Sequence, residues 1–73
     1  MKFVIEINCD NAAFYEGLQN NDPDDDTIVN GVEIASILQK LRTKTYGGTV
    51  ELGWEMEIFD SNGNRVGKAV MKR

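Results

Sequence analysis

The chain has 73 residues, with 12 acidic and 8 basic side chains, one cysteine and no histidine, and a formal net charge of −4. A lone core in so short a chain supplies only about 3–5 kcal/mol, which favours an oligomer or a partner surface. This composition excludes an intramolecular disulfide and His-based catalytic groups, and no apolar run approaches the roughly 18 residues of a membrane span.

The first predicted element is a strand over residues 2–9. Its side chains alternate with the two-residue period of a strand, so that apolar residues fall on one face. That face, which we expect to join the core, carries Phe3, Ile5, Ile7 and Cys9.

A long acidic loop over residues 10–29 follows. Asp10 or Asn11 is a candidate cap for a short helical turn at its start. From Asp10 to Glu33 there are seven acids and no base. The aspartates in the middle of the loop are Asp22, Asp24, Asp25 and Asp26. A loop of this length in so small a domain indicates either a function or partial disorder.

Part of this loop has the spacing of an EF-hand calcium site. Counting from the first aspartate, oxygen-bearing side chains occupy positions 1, 3, 5, 9 and 12, which are Asp22, Asp24, Asp26, Asn30 and Glu33. Thr27 replaces the glycine that position 6 needs, and no convincing helix precedes the loop. We therefore expect no metal or cofactor and keep calcium as an alternative.

The only long predicted helix begins after Asn30. Asn30 and Glu33 together form a capping-box pattern, which explains both residues without a metal. One apolar stripe at helical spacing follows, made by Ile34, Ile37, Leu38 and Leu41. Gly47-Gly48 is expected to end the helix.

The last predicted element is a β-hairpin whose arms alternate around Asn62-Gly63. Asn-Gly in this position is typical of a two-residue type I′ turn. Such a turn pairs Asp60 with Arg65, Phe59 with Val66, Ile58 with Gly67, Glu57 with Lys68, Met56 with Ala69, Glu55 with Val70, and Trp54 with Met71. The helix-facing side then carries Trp54, Met56, Ile58, Gly67, Ala69 and Met71.

These elements predict a single α+β domain over residues 1–73 with the order β-α-β-β. Placing the third strand centrally gives a fully antiparallel three-stranded sheet of order 2-3-1, with the helix packed on one face. The alternative order 1-2-3 needs a parallel pair and a right-handed crossover.

The sheet face away from the helix, called the outer face below, is the predicted partner surface. Its apolar residues are Val4, Phe59, Val66 and Val70, which no helix is available to cover. The competing interpretation is that β-branched residues simply suit strands and sit singly among charges. A free sheet edge also offers a place for a homodimer or a strand-adding partner.

Several segments together resemble very short, uncharacterised proteins encoded by bacterial viruses and prophages. They are Phe3-Val-Ile-Glu-Ile, Cys9-Asp-Asn-Ala-Ala-Phe14, Val32-Glu-Ile-Ala-Ser-Ile-Leu38 and Asp60-Ser-Asn-Gly-Asn-Arg-Val-Gly67. The resemblance implies an accessory protein that binds and blocks a host protein, for example a component of host defence.

We therefore expect a cytoplasmic, non-enzymatic interaction protein that contacts a host protein or complex through residues 22–26, the outer face, or both. The acidic third of the chain argues against direct nucleic-acid binding, and no apolar leader or span indicates a membrane. The alternatives are an ion- or small-ligand-binding module and a self-assembling structural accessory.

Overall fold

The computed structural model describes residues 1–18 and 27–73. It contains strand β1 (Lys2–Ile7), a short 3-10 helix (Ala12–Phe14), helix α1 (Gly31–Thr45), and strands β2 (Glu55–Phe59) and β3 (Arg65–Lys72). The strands form one antiparallel sheet in the order β1-β3-β2, which confirms the predicted α+β class and the central third strand. Among the described residues no helix is long and apolar enough to cross a membrane.

Helix α1 begins as predicted, but its capping box does not form. The Asn30 side-chain oxygen accepts a hydrogen bond from the Val32 amide at 2.9 Å, which satisfies one free amide of the first turn. Glu33 does not reach back to Asn30. Its carboxylate instead accepts from the Ser61 amide at 2.7 Å and ties the helix start to the hairpin loop.

The helix ends where the two glycines predict. The Tyr46 amide donates to the Arg42 carbonyl oxygen at 2.8 Å and closes the last turn. Gly47 follows with φ +79°, a backbone conformation that glycine adopts without steric cost.

One core lies between α1 and the sheet. Its buried apolar members are Phe14, Ile37, Leu41, Ile58, Val66 and Ala69. Ile7, Cys9, Trp54 and Met56 pack against this core, as the alternation predicts. Phe3 and Ile5 do not join it: each remains 39% exposed, and Leu38 of the helix stripe remains 45% exposed.

The hairpin register is confirmed along its arms and wrong at its turn. Glu55 pairs with Val70 and Ile58 with Gly67, as expected. At the tip, however, the Gly63 amide donates to the Asp60 carbonyl at 3.0 Å and the Asp60 amide donates to the Asn64 carbonyl at 2.9 Å. Three residues, 61–63, therefore form the loop, and Gly63 is its only residue with positive φ.

The longer loop leaves one extra residue on β3. Phe59 pairs with Arg65 while Ile58 pairs with Gly67, so Val66 has no partner on β2 and forms a β-bulge. The bulge turns Val66 into the core, where only 6% of it is exposed. The prediction that Val66 lies on the outer face is therefore wrong.

A close contact with β1 explains why residue 67 is glycine. The backbones of β1 and β3 approach closely here, and a Cβ atom on Gly67 would lie 1.9 Å from the carbonyl oxygen of Glu6. Any side chain at this position would force the two strands apart.

Candidate interaction surfaces

The outer face presents two separate apolar features. Val4 and Val70 lie directly opposite each other on β1 and β3, and both are half-buried. Phe59 lies near the hairpin loop and is 46% exposed. The row that pairs Glu57 with Lys68 separates Phe59 from the valines, so the structure brings together only two of the predicted partner residues.

Two ion pairs lie beside these apolar features. Arg65 Nε lies 3.4 Å from Glu57 Oε1, and Lys68 Nζ lies 3.9 Å from Glu55 Oε2. All four side chains are at least half exposed, so each pair contributes only about 0–1 kcal/mol to folding. The Arg65–Glu57 pair places a polar rim beside Phe59, since Phe59 and Arg65 are paired residues.

The helix side of the sheet holds a second apolar surface, which the sequence did not reveal. Phe3 and Ile5 lie on this side because they pair with Met71 and Ala69 of β3. The ring centroids of Phe3 and Trp54 are 5.8 Å apart, with the rings tilted by 43°. A small cleft of about 250 Å³ opens here, and its lining residues are Phe3, Thr45, Val50 and Met71.

Alternation along β1 correctly assigns Phe3 and Ile5 to the helix side of the sheet. It carries no information on how far the helix extends over the edge strand. One helix of 15 residues leaves both side chains partly in solvent, together with Leu38.

Asp60 organises a polar network at the hairpin loop. The residue is only 3% exposed, and its Oδ1 accepts from the amides of Asn64 at 2.9 Å and Asn62 at 3.0 Å. Its Oδ2 accepts from Asn11 Nδ2 at 3.0 Å. The Asn64 amide is the main cause that lowers the pKa of Asp60 below its usual 3.8, against desolvation, which raises it. This carboxylate therefore holds the loop together and is not free for a ligand.

The residues of the calcium hypothesis have structural roles where the structure describes them. Asn30 donates from its side chain to the Glu16 carbonyl oxygen, and its own amide donates to Phe14. Glu33 is engaged by Ser61, as described above. Asp22, Asp24, Asp25 and Asp26 lie outside the described residues. Within residues 1–18 and 27–73, no cluster of three or more Cys, Asp or Glu side chains is arranged to hold a metal ion.

Cys9, the single thiol, is half-buried, and its Sγ lies 3.8 Å from the Ile7 carbonyl oxygen. A shallow groove of about 490 Å³ runs beside it between the ends of β1 and β3. Both polar and apolar residues line the groove, among them Asp10, Lys68 and Ile7.

Taken together, the chain is a small antiparallel α+β domain that exposes apolar side chains on both sides of its sheet. No protein-family model, curated protein or solved structure matches it.

Proposed function

We propose that this chain is a non-enzymatic interaction protein that acts by binding another protein. The observation that carries the proposal is Phe59, a large aromatic side chain that remains 46% exposed at the end of strand β2. Because β2 is paired along its length with β3, the position of Phe59 is fixed before any partner arrives. Binding such a residue therefore costs little conformational entropy.

The surroundings of Phe59 support the same proposal. Interfaces between proteins commonly place an aromatic anchor inside a polar rim, which excludes water from the anchor. The Arg65–Glu57 ion pair at 3.4 Å supplies such a rim on one side of the ring. Further along the outer face, Val4 and Val70 provide a small apolar patch between charged rows.

We further propose that the protein is an accessory of a bacterial virus or prophage, and that it binds and blocks a host protein in the bacterial cytoplasm. The resemblance of four segments to short viral proteins supports this setting. The run of four aspartates within residues 22–26, together with a net charge of −4, favours a target with a basic surface. A component of host defence that binds nucleic acid has such a surface.

Affinity capture from bacterial lysate tests the proposal. The bait is the wild-type protein, and the matched variants are Phe59→Ser and Leu52→Ser. Leu52 is a suitable control because it is also 46% exposed but lies outside the strands. We expect a host protein that wild type and Leu52→Ser retain and that Phe59→Ser loses. No retained protein at either low or moderate salt would refute the proposal.

The role of the acidic loop needs a separate experiment. Reversing the charges of Asp24, Asp25 and Asp26 should slow association with the captured protein and flatten its salt dependence, because steering between opposite charges weakens as salt rises. Stopped-flow association rates measure this effect. A rate that the reversal leaves unchanged at low salt would show that the loop does not face the partner.

A further inference from the structure

Strand β1 lies at the edge of the sheet with one side open. The Asn8 amide donates to the Val66 carbonyl oxygen at 2.7 Å, which fixes the phase of the antiparallel ladder. The even-numbered residues of β1 therefore bond to β3, and the amides and carbonyls of Phe3, Ile5 and Ile7 point to the open edge. No strand within residues 1–18 and 27–73 pairs with that edge.

The same strand exposes apolar side chains beside its open edge. Phe3 and Ile5 are each 39% exposed, although both lie on the helix side of the sheet. An edge strand with unpaired backbone groups and exposed large apolar residues is a template for another strand.

We propose that a second copy of the chain adds its own β1 antiparallel across this edge, with the two-fold axis at Val4. In this register Phe3 lies opposite the partner's Ile5, and these residues exchange the backbone hydrogen bonds that β3 does not take. A symmetric dimer with a self-complementary interface is the commonest oligomer of soluble proteins.

Charge complementarity selects the axis. With the axis at Val4, Lys2 lies opposite the partner's Glu6 on the outer face, and Glu6 lies opposite the partner's Lys2. Moving the axis to Phe3 places Lys2 opposite valine, and moving it to Ile5 places Glu6 opposite valine. Only the central register forms both opposite-charge pairs, which are the pairs that stabilise neighbouring strands.

The proposed register also offsets an unfavourable charge pair within the single chain. Lys2 lies directly opposite Lys72 of β3, a like-charge pair that destabilises the sheet. The partner's Glu6 would lie on the other side of Lys2 and offset this repulsion. The dimer would have one six-stranded sheet. On its outer face, Val4 and Val70 would lie beside Val4 and Val70 of the second copy.

Sedimentation equilibrium tests the proposal with a charge variant and a matched control. Lys2→Glu places a carboxylate opposite the partner's Glu6, and we expect the dimer dissociation constant to rise by roughly 30-fold, since two attractive pairs become repulsive. Lys72→Glu makes the same change of charge one strand away from the edge and should leave the dimer intact.

Both variants replace the Lys2–Lys72 repulsion with attraction inside the chain, so neither should lower the melting temperature of the monomer. Lost dimerisation in Lys2→Glu then cannot be attributed to misfolding. If wild type stays monomeric at its highest soluble concentration, the open edge of β1 does not bind a second copy, and the proposal is overturned. Equal weakening by the two variants would overturn it as well.

A mixing experiment tests the register by rescue. Glu6→Lys alone places two lysines opposite each other and should also weaken the dimer. When Lys2→Glu and Glu6→Lys are mixed, every cross-edge charge pair becomes attractive, and we expect a heterodimer in the native mass spectrum. Two variants that remain separate after mixing would contradict the proposed axis.

Discussion

Replacing Gly67 with alanine perturbs a close contact between the backbones of β1 and β3. The new Cβ atom would lie 1.9 Å from the carbonyl oxygen of Glu6 and 3.1 Å from the Cα of Ile7. The obstructing atoms belong to the backbone of β1, so they cannot rotate away as the end of a flexible side chain can. The strands must separate, and the hydrogen bonds on both sides of Gly67 must lengthen.

Overpacking of this kind costs about 1–3 kcal/mol. A lone core in a chain of 73 residues supplies only about 3–5 kcal/mol, so a loss near 2 kcal/mol removes a large part of the stability. In a domain of this size each kcal/mol shifts the melting temperature by about 4–8 °C. We therefore expect Gly67→Ala to melt roughly 8–16 °C below wild type.

Gly31→Ala is the matched control for this experiment. Gly31 is the first residue of α1, and a Cβ atom there meets nothing within 4 Å. Alanine should therefore raise stability by about 0.4–1 kcal/mol through its effect on the unfolded chain. Urea unfolding followed by circular dichroism measures both variants. If their free energies of unfolding differ by less than about 0.5 kcal/mol, the close approach of β1 and β3 is refuted.

Three further predictions concern the bulge, the hairpin loop and the helix start. Val66→Ala should lower the free energy of unfolding by about 1–2 kcal/mol and by more than Val70→Ala does, because Val66 is buried and Val70 is only half-buried. Equal losses in urea unfolding would contradict the bulge. The pKa of Asp60 is lowered in the folded state. The carboxylate therefore contributes its full stabilisation above pH 3.8, and this stabilisation disappears as the pH falls through the pKa of the folded state. The stability of Asp60→Asn should therefore fall less with decreasing pH than that of wild type. Acid-unfolding curves that run parallel for wild type and Asp60→Asn would refute this prediction. Asn30→Ala should cost about 1 kcal/mol in urea unfolding through the lost cap, and a neutral result would contradict the bond to Val32.

Local signals in the sequence predict most of the fold. The helix begins and ends as predicted because the Asn30 cap and the two glycines act within a few residues of their own positions. The hairpin pairs β3 with β2, and the single helix between β1 and β2 lets β1 run antiparallel to β3 on its other side. These two features predict the central position of β3. These features depend on short-range geometry, which a sequence displays directly.

The turn differs from the predicted two-residue turn because a side chain determines its length. Asn-Gly favours a two-residue turn, but the Asp60 carboxylate binds the amides of Asn62 and Asn64 and stabilises a three-residue loop. The one-residue difference moves Val66 from the outer face into the core. A slip of one residue is enough, because neighbouring strand residues face opposite sides.

The candidate surfaces are only partly visible in the sequence. Phe59, Val4 and Val70 follow from the register of the arms, which does not depend on the turn type. The exposure of Phe3 and Ile5 depends on where α1 lies across the sheet, and this is set by packing between distant residues. The cross-edge match of Lys2 with Glu6 becomes apparent only when the phase of the β1 hydrogen bonds is known.

The central claim is that Phe59 anchors a protein partner. The most direct measurement is the dissociation constant of the captured host protein for Phe59→Ser and for Leu52→Ser, two truncations of equally exposed apolar residues. An aromatic anchor predicts that Phe59→Ser weakens binding by roughly 30-fold or more while Leu52→Ser changes it little. Equal dissociation constants for the two variants would contradict the account.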